Sequence, residues 1–246
     1  MGRLSWEARL AIILVVTSTI IYLVHFVIFH DPEHIGKFMV SDLAFLPIEV
    51  LLVSLIVEKV LNERERHIRL EKLNMLIGVF FSEAGTLLLK YFAHLDPYVD
   101  SIRKRLIITG DWDDEHFDRV VLGLEDHGYD IEIDRVELED LRRFLIEKRK
   151  VMVRLLANPN LLEHESFTEL LQAVFHLTEE LAVRPDLDVL PDTDREHLAK
   201  DLQRAYVLLV RQWLAYMRHL KDDHPYLFSL AMRTNPFDID ANPVIG

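Results

Sequence analysis

The residues that could do chemistry fall in two places. The first is an apolar run, LAFLPIEVLLVSLIVEKV, residues 43–60, that carries Pro47 and Glu49 in its interior. A carboxylate in hydrocarbon costs roughly 2.5–3.5 kcal/mol on insertion scales, so an acid there marks a packing or transport role. An earlier run, Leu10 to Phe29, carries Ser18, Tyr22 and His25, spaced four and three apart and so on one helical face. If the two runs form an antiparallel pair, Tyr22 and His25 lie close in depth to Glu49, within about 3 Å at 1.5 Å per residue. Ser18 and Ser54 form a second matched level. Three roles stand open for Glu49: a hydrogen-bonded glue with His25 or Tyr22, a lining group of an aqueous path between copies, or an ion ligand with His25. Pro47 near a first turn would be harmless; deeper, it would kink the helix and free a carbonyl.

The second place is His176, followed by Glu179 and Glu180. At helical spacing His176 shares a face with Glu179 or Glu180, which could hold a divalent ion. Surface helices often produce the same spacing. HExxH is absent, as is the doubled Glu-x-x-His of di-iron bundles. Asp111, Asp113, Asp114 and Glu115 cluster where a helix starts, and the helix dipole favours acids there. No glycine-rich phosphate loop or nucleophile elbow is present. The reading is of a protein that is not an enzyme and needs no cofactor.

The elements that must position these groups are helices. The chain has 246 residues, 50% of them hydrophobic, with 8 Gly, 9 Pro and no cysteine. Its net charge of −13, from 41 acids against 28 bases, argues against a nucleic-acid partner, since phosphate binding is driven by Lys and Arg. The run 10–29 has no charge over 20 residues, about the number needed to span hydrocarbon. It exceeds the 7–15 apolar residues of a signal peptide. The expected second span is 43–61. Arg3 and Arg9 precede the first span, and Lys59, Arg64, Arg66, Arg69 and Lys72 follow the second. The positive-inside rule then puts both termini in the cytoplasm of a cell with an inner (plasma) membrane, and residues 30–42 outside. A potassium-channel filter does not fit, because the connection lacks a TVGYG-like sequence.

The expected organisation is therefore an all-α membrane protein. Residues 1–62 form a transmembrane hairpin, 63–95 a juxtamembrane helix that continues the second span, 96–234 a cytoplasmic helical bundle and 235–246 a polar tail. Gly78, Ser82 and Gly85 fall on one face at spacings of four and three, where small residues admit a close helix neighbour. A buried core helix explains them equally well. Ser166-Phe-Thr-Glu169 reads as a capping box. Leu198, Leu202, Leu209, Trp213 and Leu220 form the apolar stripe of a long helix from about 192 to 220.

Four stretches resemble a group of conserved bacterial and archaeal small membrane proteins of unassigned function. They are LAFLPIEVLLVSLIVEKVL, EKLNMLIGVFFSEAGT, NPNLLEHESFTELLQAVFHLTEEL and LFSLAMRTNPFD. The resemblance implies an established membrane protein and assigns no site residues. The expected function is a homo-oligomeric membrane-anchored scaffold or sensor that contacts lipid and a cytoplasmic protein partner. The alternative is an ion channel lined by the spans.

Overall fold

The computed structural model describes residues 6–30, 32–125 and 127–244. Arg3, used above to orient the spans, lies outside the described residues, as do the last two residues of the expected tail. Among the described residues there is no strand; the protein is all-helical. The chain divides into two compact units, Met1–Arg66 and His67–Gly246.

The first unit holds α1 (Trp6–Phe29) and most of α2 (Pro32–Phe80). The expected connection of 30–42 is thereby far shorter, and its His30 has a positive φ of 50°. Pro32 is the reason. Its fixed φ and missing N–H suit the first helical turn, so the helix starts at Pro32, well before the apolar run at 43. Pro47 consequently stands deep inside α2, not in a first turn. Almost every described side chain of this unit is exposed. Residues 37–66 are exposed without exception, although 43–61 is largely apolar.

The second unit is built by helices whose ends are largely written by proline. α3 (Thr86–Leu95) stops before Asp96-Pro97, α6 (Leu138–Leu156) before Asn158-Pro159, and α7 (Glu165–Val183) before Arg184-Pro185. A residue preceding proline is pushed out of the helical region, and Asp96, Asn158 and Arg184 all have ψ between 114° and 125°. α8 (Asp192–Asp223) follows Pro191 and α9 (Pro225–Arg233) starts on Pro225. Between α3 and α6 lie α4 (Val99–Arg103) and α5 (Asp114–Glu125). Asp113 Oδ1 accepts from the His116 backbone N–H at 2.9 Å, so an acid of the 111–115 cluster does cap α5.

α7 packs against both α6 and α8. Phe167, Leu170, Leu171, Val174, Leu177 and Leu181 of α7 are fully buried, and so are Leu198, Leu202, Leu209 and Val210 of α8. The start of α7 differs from the capping-box expectation. His164 is its N-cap, with Nδ1 accepting from the Phe167 N–H at 3.2 Å. Ser166 lies one residue inside, where its hydroxyl donates to Gln212 Oε1 of α8 at 3.1 Å.

Two boundaries also differ from the sequence reading. The second unit begins at His67, and Leu73, Ile77, Phe80, Phe81, Leu88, Leu89 and Phe92 belong to its core. Residues 67–95 are therefore part of the bundle, not a segment of their own. The apolar stripe of 73–92 has a protein partner, Phe80 against Phe167 at 5.7 Å and Phe92 against Tyr206 at 6.1 Å among its contacts. At the other end, Asn235 and Phe237 of the expected polar tail are buried. Asn235 Nδ2 donates to the Leu106 carbonyl at 2.8 Å, and Phe237 packs on Trp213 at 5.3 Å.

Candidate functional site

In the first unit, Ser18, Tyr22, Glu49 and Ser54 are exposed, and His25 is half-buried. Glu49 has no hydrogen-bond or ion-pair partner among the described residues. The structure draws no bond between it and His25 or Tyr22. A shared depth does not fix which way each helix is turned, and bonding needs both.

Gly78, Ser82 and Gly85 do not share one face. Residues Phe81–Gly85 are a π-helical turn between α2 and α3. A π turn carries an additional residue per turn and so rotates everything after it. Gly85 is thereby turned into the core, where an added Cβ would lie 2.7 Å from atoms of both the Phe80 and Phe81 rings. Gly78 and Ser82 stay at the edge and line a groove of about 700 Å³ with Asn74, Tyr216 and His219. An added Cβ at Gly78 would meet only the Tyr216 side chain, its hydroxyl nearest at 3.1 Å.

The richest cluster of donor atoms lies between α7 and α8. His176 and Glu180 are one turn apart on α7, and His197 and Asp201 are one turn apart on α8. The segment 184–191 folds α8 back along α7, which brings the two pairs face to face. His176 Nε2 and His197 Nε2 lie 3.6 and 3.4 Å from Asp201 Oδ2. They lie 3.8 and 3.7 Å from the two oxygens of Glu180. His176, His197 and Asp201 each present an atom within 4.8 Å of the others. The two histidines are half exposed, whereas the Asp201 side chain is 15% exposed.

Of the three residues that the sequence suggested as ion ligands, His176 and Glu180 are in this cluster and Glu179 is not. Glu179 turns toward α6, where Oε1 accepts from Arg149 Nε at 2.7 Å. The sequence reading missed His197 and Asp201. The available signal was a second His-x-x-x-acid spacing, HLAKD at 197–201, matching HLTEE at 176–180. Glu180 is also held by Arg184, whose Nη1 donates to Oε2 at 2.7 Å, and this hydrogen bond keeps its carboxyl below the usual range. Arg184 is clamped in turn by Asp194, with contacts of 2.6 and 2.8 Å, which hold its guanidinium charged. The arrangement can bind a cation. Two imidazoles and a carboxylate converge on one point, and the Glu180 charge is fixed beside it.

A second constellation joins Asp96, His127 and Ser101. Asp96 is 2% exposed; its Oδ1 accepts from the Tyr98 N–H at 2.8 Å and its Oδ2 lies 3.4 Å from His127 Nε2. His127 Nδ1 lies 3.3 Å from Ser101 Oγ, and its ring meets Tyr129 edge-on at 4.5 Å. The shortest bond goes to backbone. The group works as a latch that fastens the segment after α5 to the start of α4.

With this geometry established, comparison with other proteins places the chain. Residues 69–233 match the family described as "Uncharacterized protein MJ1433, C-terminal helical domain", and residues 2–61 match "MJ1433, N-terminal helical domain". This chain belongs to the MJ1433 family. A relative from Methanocaldococcus jannaschii, "Uncharacterized protein MJ1433", is 47% identical over 229 residues, covering 93% of this chain and 92% of that protein. No solved structure matches. The division between Arg66 and His67 falls in the gap between the two MJ1433 regions, so the family's helical domains and the two units coincide.

Proposed function

We propose that this MJ1433-family protein is anchored in the cell's inner (plasma) membrane through α1 and the apolar part of α2. Its termini and its second unit lie in the cytoplasm, where the helical domain acts as a sensor or scaffold. One observation carries this reading. The window Ala11–Ile28 has a mean hydropathy of 2.5 and none of it is buried; an 18-residue window further along averages 2.2, again with none buried. A core helix of a water-soluble protein would be covered by its own chain. Monomers rarely leave more than a few hundred Å² of contiguous apolar surface bare, and these helices bare apolar side chains on every side. At 1.5 Å per residue, α1 is about 36 Å long, enough for a hydrocarbon core of about 30 Å. The charged helix NERERHIRLEK, 62–72, then stands in water and headgroups.

A span-lined ion channel is the second reading, and Glu49 favours it. Its carboxyl has no partner among the described residues, so in lipid it needs water, a proton or a neighbouring copy. Copies arranged about an axis along the membrane normal would supply the first or the last. Both readings predict a homo-oligomer.

The test is fractionation of the full-length protein. It is expected in the membrane pellet after alkaline carbonate washing and in solution only with detergent. Recovery in the carbonate supernatant ends both readings. Recording across planar bilayers then separates them: a sensor or scaffold leaves the bilayer silent, and a channel gives steps that Glu49→Gln alters.

A further inference from the structure

We propose that His176, His197 and Asp201 bind a divalent transition-metal ion of the zinc type, with Glu180 as the positioning residue beside it. The site stands independently of the membrane reading. If both hold, this ion is what the sensor senses.

Three observations point to an ion and not to a network of hydrogen bonds. The first is spacing. Zinc holds imidazole nitrogen and carboxylate oxygen at ~2.0–2.2 Å in tetrahedral geometry, which sets neighbouring ligand atoms ~3.3–3.6 Å apart. Asp201 Oδ2 lies 3.4 Å from one histidine nitrogen and 3.6 Å from the other. A charge-assisted hydrogen bond would close to roughly 2.7–2.9 Å.

The second is an orphan. Asp201 Oδ2 is buried and has no hydrogen-bond partner. Buried polar atoms in native proteins nearly always have one, so an exception calls for an unseen ion or water. Both imidazole Nε2 atoms lie within 3.6 Å of this oxygen without bonding to it, and a cation among the three would satisfy all of them.

The third is the frame. The four residues come as two one-turn pairs on facing helices, the way helical bundles build metal sites. Helix positions hold ligands more rigidly than loops do. Glu180 cannot swing away, because Arg184 fixes one of its oxygens and Asp194 fixes Arg184. Its charge draws a cation without being required as a ligand. The half-exposed histidines leave one side open for entry and for a water ligand.

The donor set selects the ion. Imidazole suits zinc and its first-row neighbours, whereas calcium and magnesium prefer oxygen ligands alone.

The experiment uses purified, untagged full-length protein in detergent, stripped with a chelator. Zinc is titrated while the melting temperature is followed. Cobalt(II) is titrated while its visible absorption is read, since tetrahedral nitrogen and oxygen ligation gives intense bands. One equivalent of each ion should bind in the micromolar range or tighter, and saturating zinc should raise Tm by several degrees. His176→Ala, His197→Ala and Asp201→Asn should each weaken binding at least tenfold. Glu180→Gln should weaken it less, and Glu179→Gln not at all. Chelator-stripped variants that melt like the stripped parent show that the fold survives. Binding weaker than millimolar overturns the proposal. So does one-equivalent binding of unchanged affinity in the His176→Ala, His197→Ala double variant, because another of the 12 histidines is then responsible. Variants that lose the cobalt bands while melting unchanged uphold it. Fractionation results bear on anchoring alone, so either reading can fail without the other.

Discussion

His164 shows how much one side chain can decide. Its Nδ1 caps α7 by accepting a backbone hydrogen bond, which requires an unprotonated ring nitrogen. Burial holds His164 below its ordinary value of 6.5. The unfolded chain therefore takes up the proton first as pH falls. The stability carried by the neutral cap is complete above about 6.5 and is lost as pH drops from there through the folded value. Asn accepts the same bond and does not titrate, and it is a good N-cap. In His164→Asn the melting temperature should fall less steeply than in the parent between about pH 7 and pH 5. His219, also held low by burial, leaves some slope of the same sign. An unchanged slope would show that the cap is not the titrating element. Asp96 offers a second test of a single side chain. Asp96→Ala removes the acceptor for the Tyr98 N–H and leaves His127 facing a void, a loss of about 1–3 kcal/mol for buried partners left unsatisfied. It should appear as a drop in Tm of several degrees.

Among the elements, the π turn at Phe81–Gly85 has the largest effect. Straight helical spacing puts Gly78, Ser82 and Gly85 together; the additional residue sends Gly85 inward and leaves the other two at a groove. The glycines should then answer differently to the same change. Gly85→Ala drives a methyl into two buried rings and should cost about 1–3 kcal/mol, the usual range for overpacking. Gly78→Ala meets the end of one side chain, the Tyr216 hydroxyl at 3.1 Å, and it gains up to about 1 kcal/mol of helix propensity. Chemical denaturation of both variants decides this; equal losses would remove the distinction between the two sites. Helix existence and most helix ends were legible in the sequence, because proline disfavours the helical conformation before it and suits the first turn after it, with Pro47 inside α2 the exception. The α7 start was not: a Ser-x-x-Glu pattern and a histidine two residues earlier both offered acceptors, and the histidine takes the cap bond while the Ser166 hydroxyl is engaged by Gln212 of α8. At the α7–α8 site the sequence offered His176 with either Glu179 or Glu180. Arg149 on α6 took the first of these and left the second.

Over the full chain, the governing fact is the contrast between its two units. The second buries a continuous core from Leu73 to Phe237, and the first leaves its apolar helices bare. Lipid contact and self-association are the two ways to cover such a surface. In detergent the protein should sediment as a homo-oligomer. In the glue reading of Glu49, Glu49→Gln and His25→Ala would give non-additive losses of stability; in the inter-copy reading, Glu49→Gln should instead shift the oligomer toward smaller species. Analytical ultracentrifugation with a double-mutant cycle separates them. Strictly additive effects with an unchanged oligomer would remove Glu49 from both roles.

The features readable without the fold were local and compositional. Helices were among them, because Gly is scarce, Pro sits at element edges and apolar residues recur at helical spacing. So were the apolar runs near the start of the chain, since hydropathy needs no knowledge of neighbours, whereas their exposure is read from the structure. Packing decided everything that depends on rotation and partnership. It moved residues 67–95 into the bundle, buried Asn235 and Phe237, and turned Gly85 away from Gly78. It also brought His197 and Asp201 to His176 and Glu180. A linear pattern fixes the face of one helix, and only the packed structure fixes which faces meet.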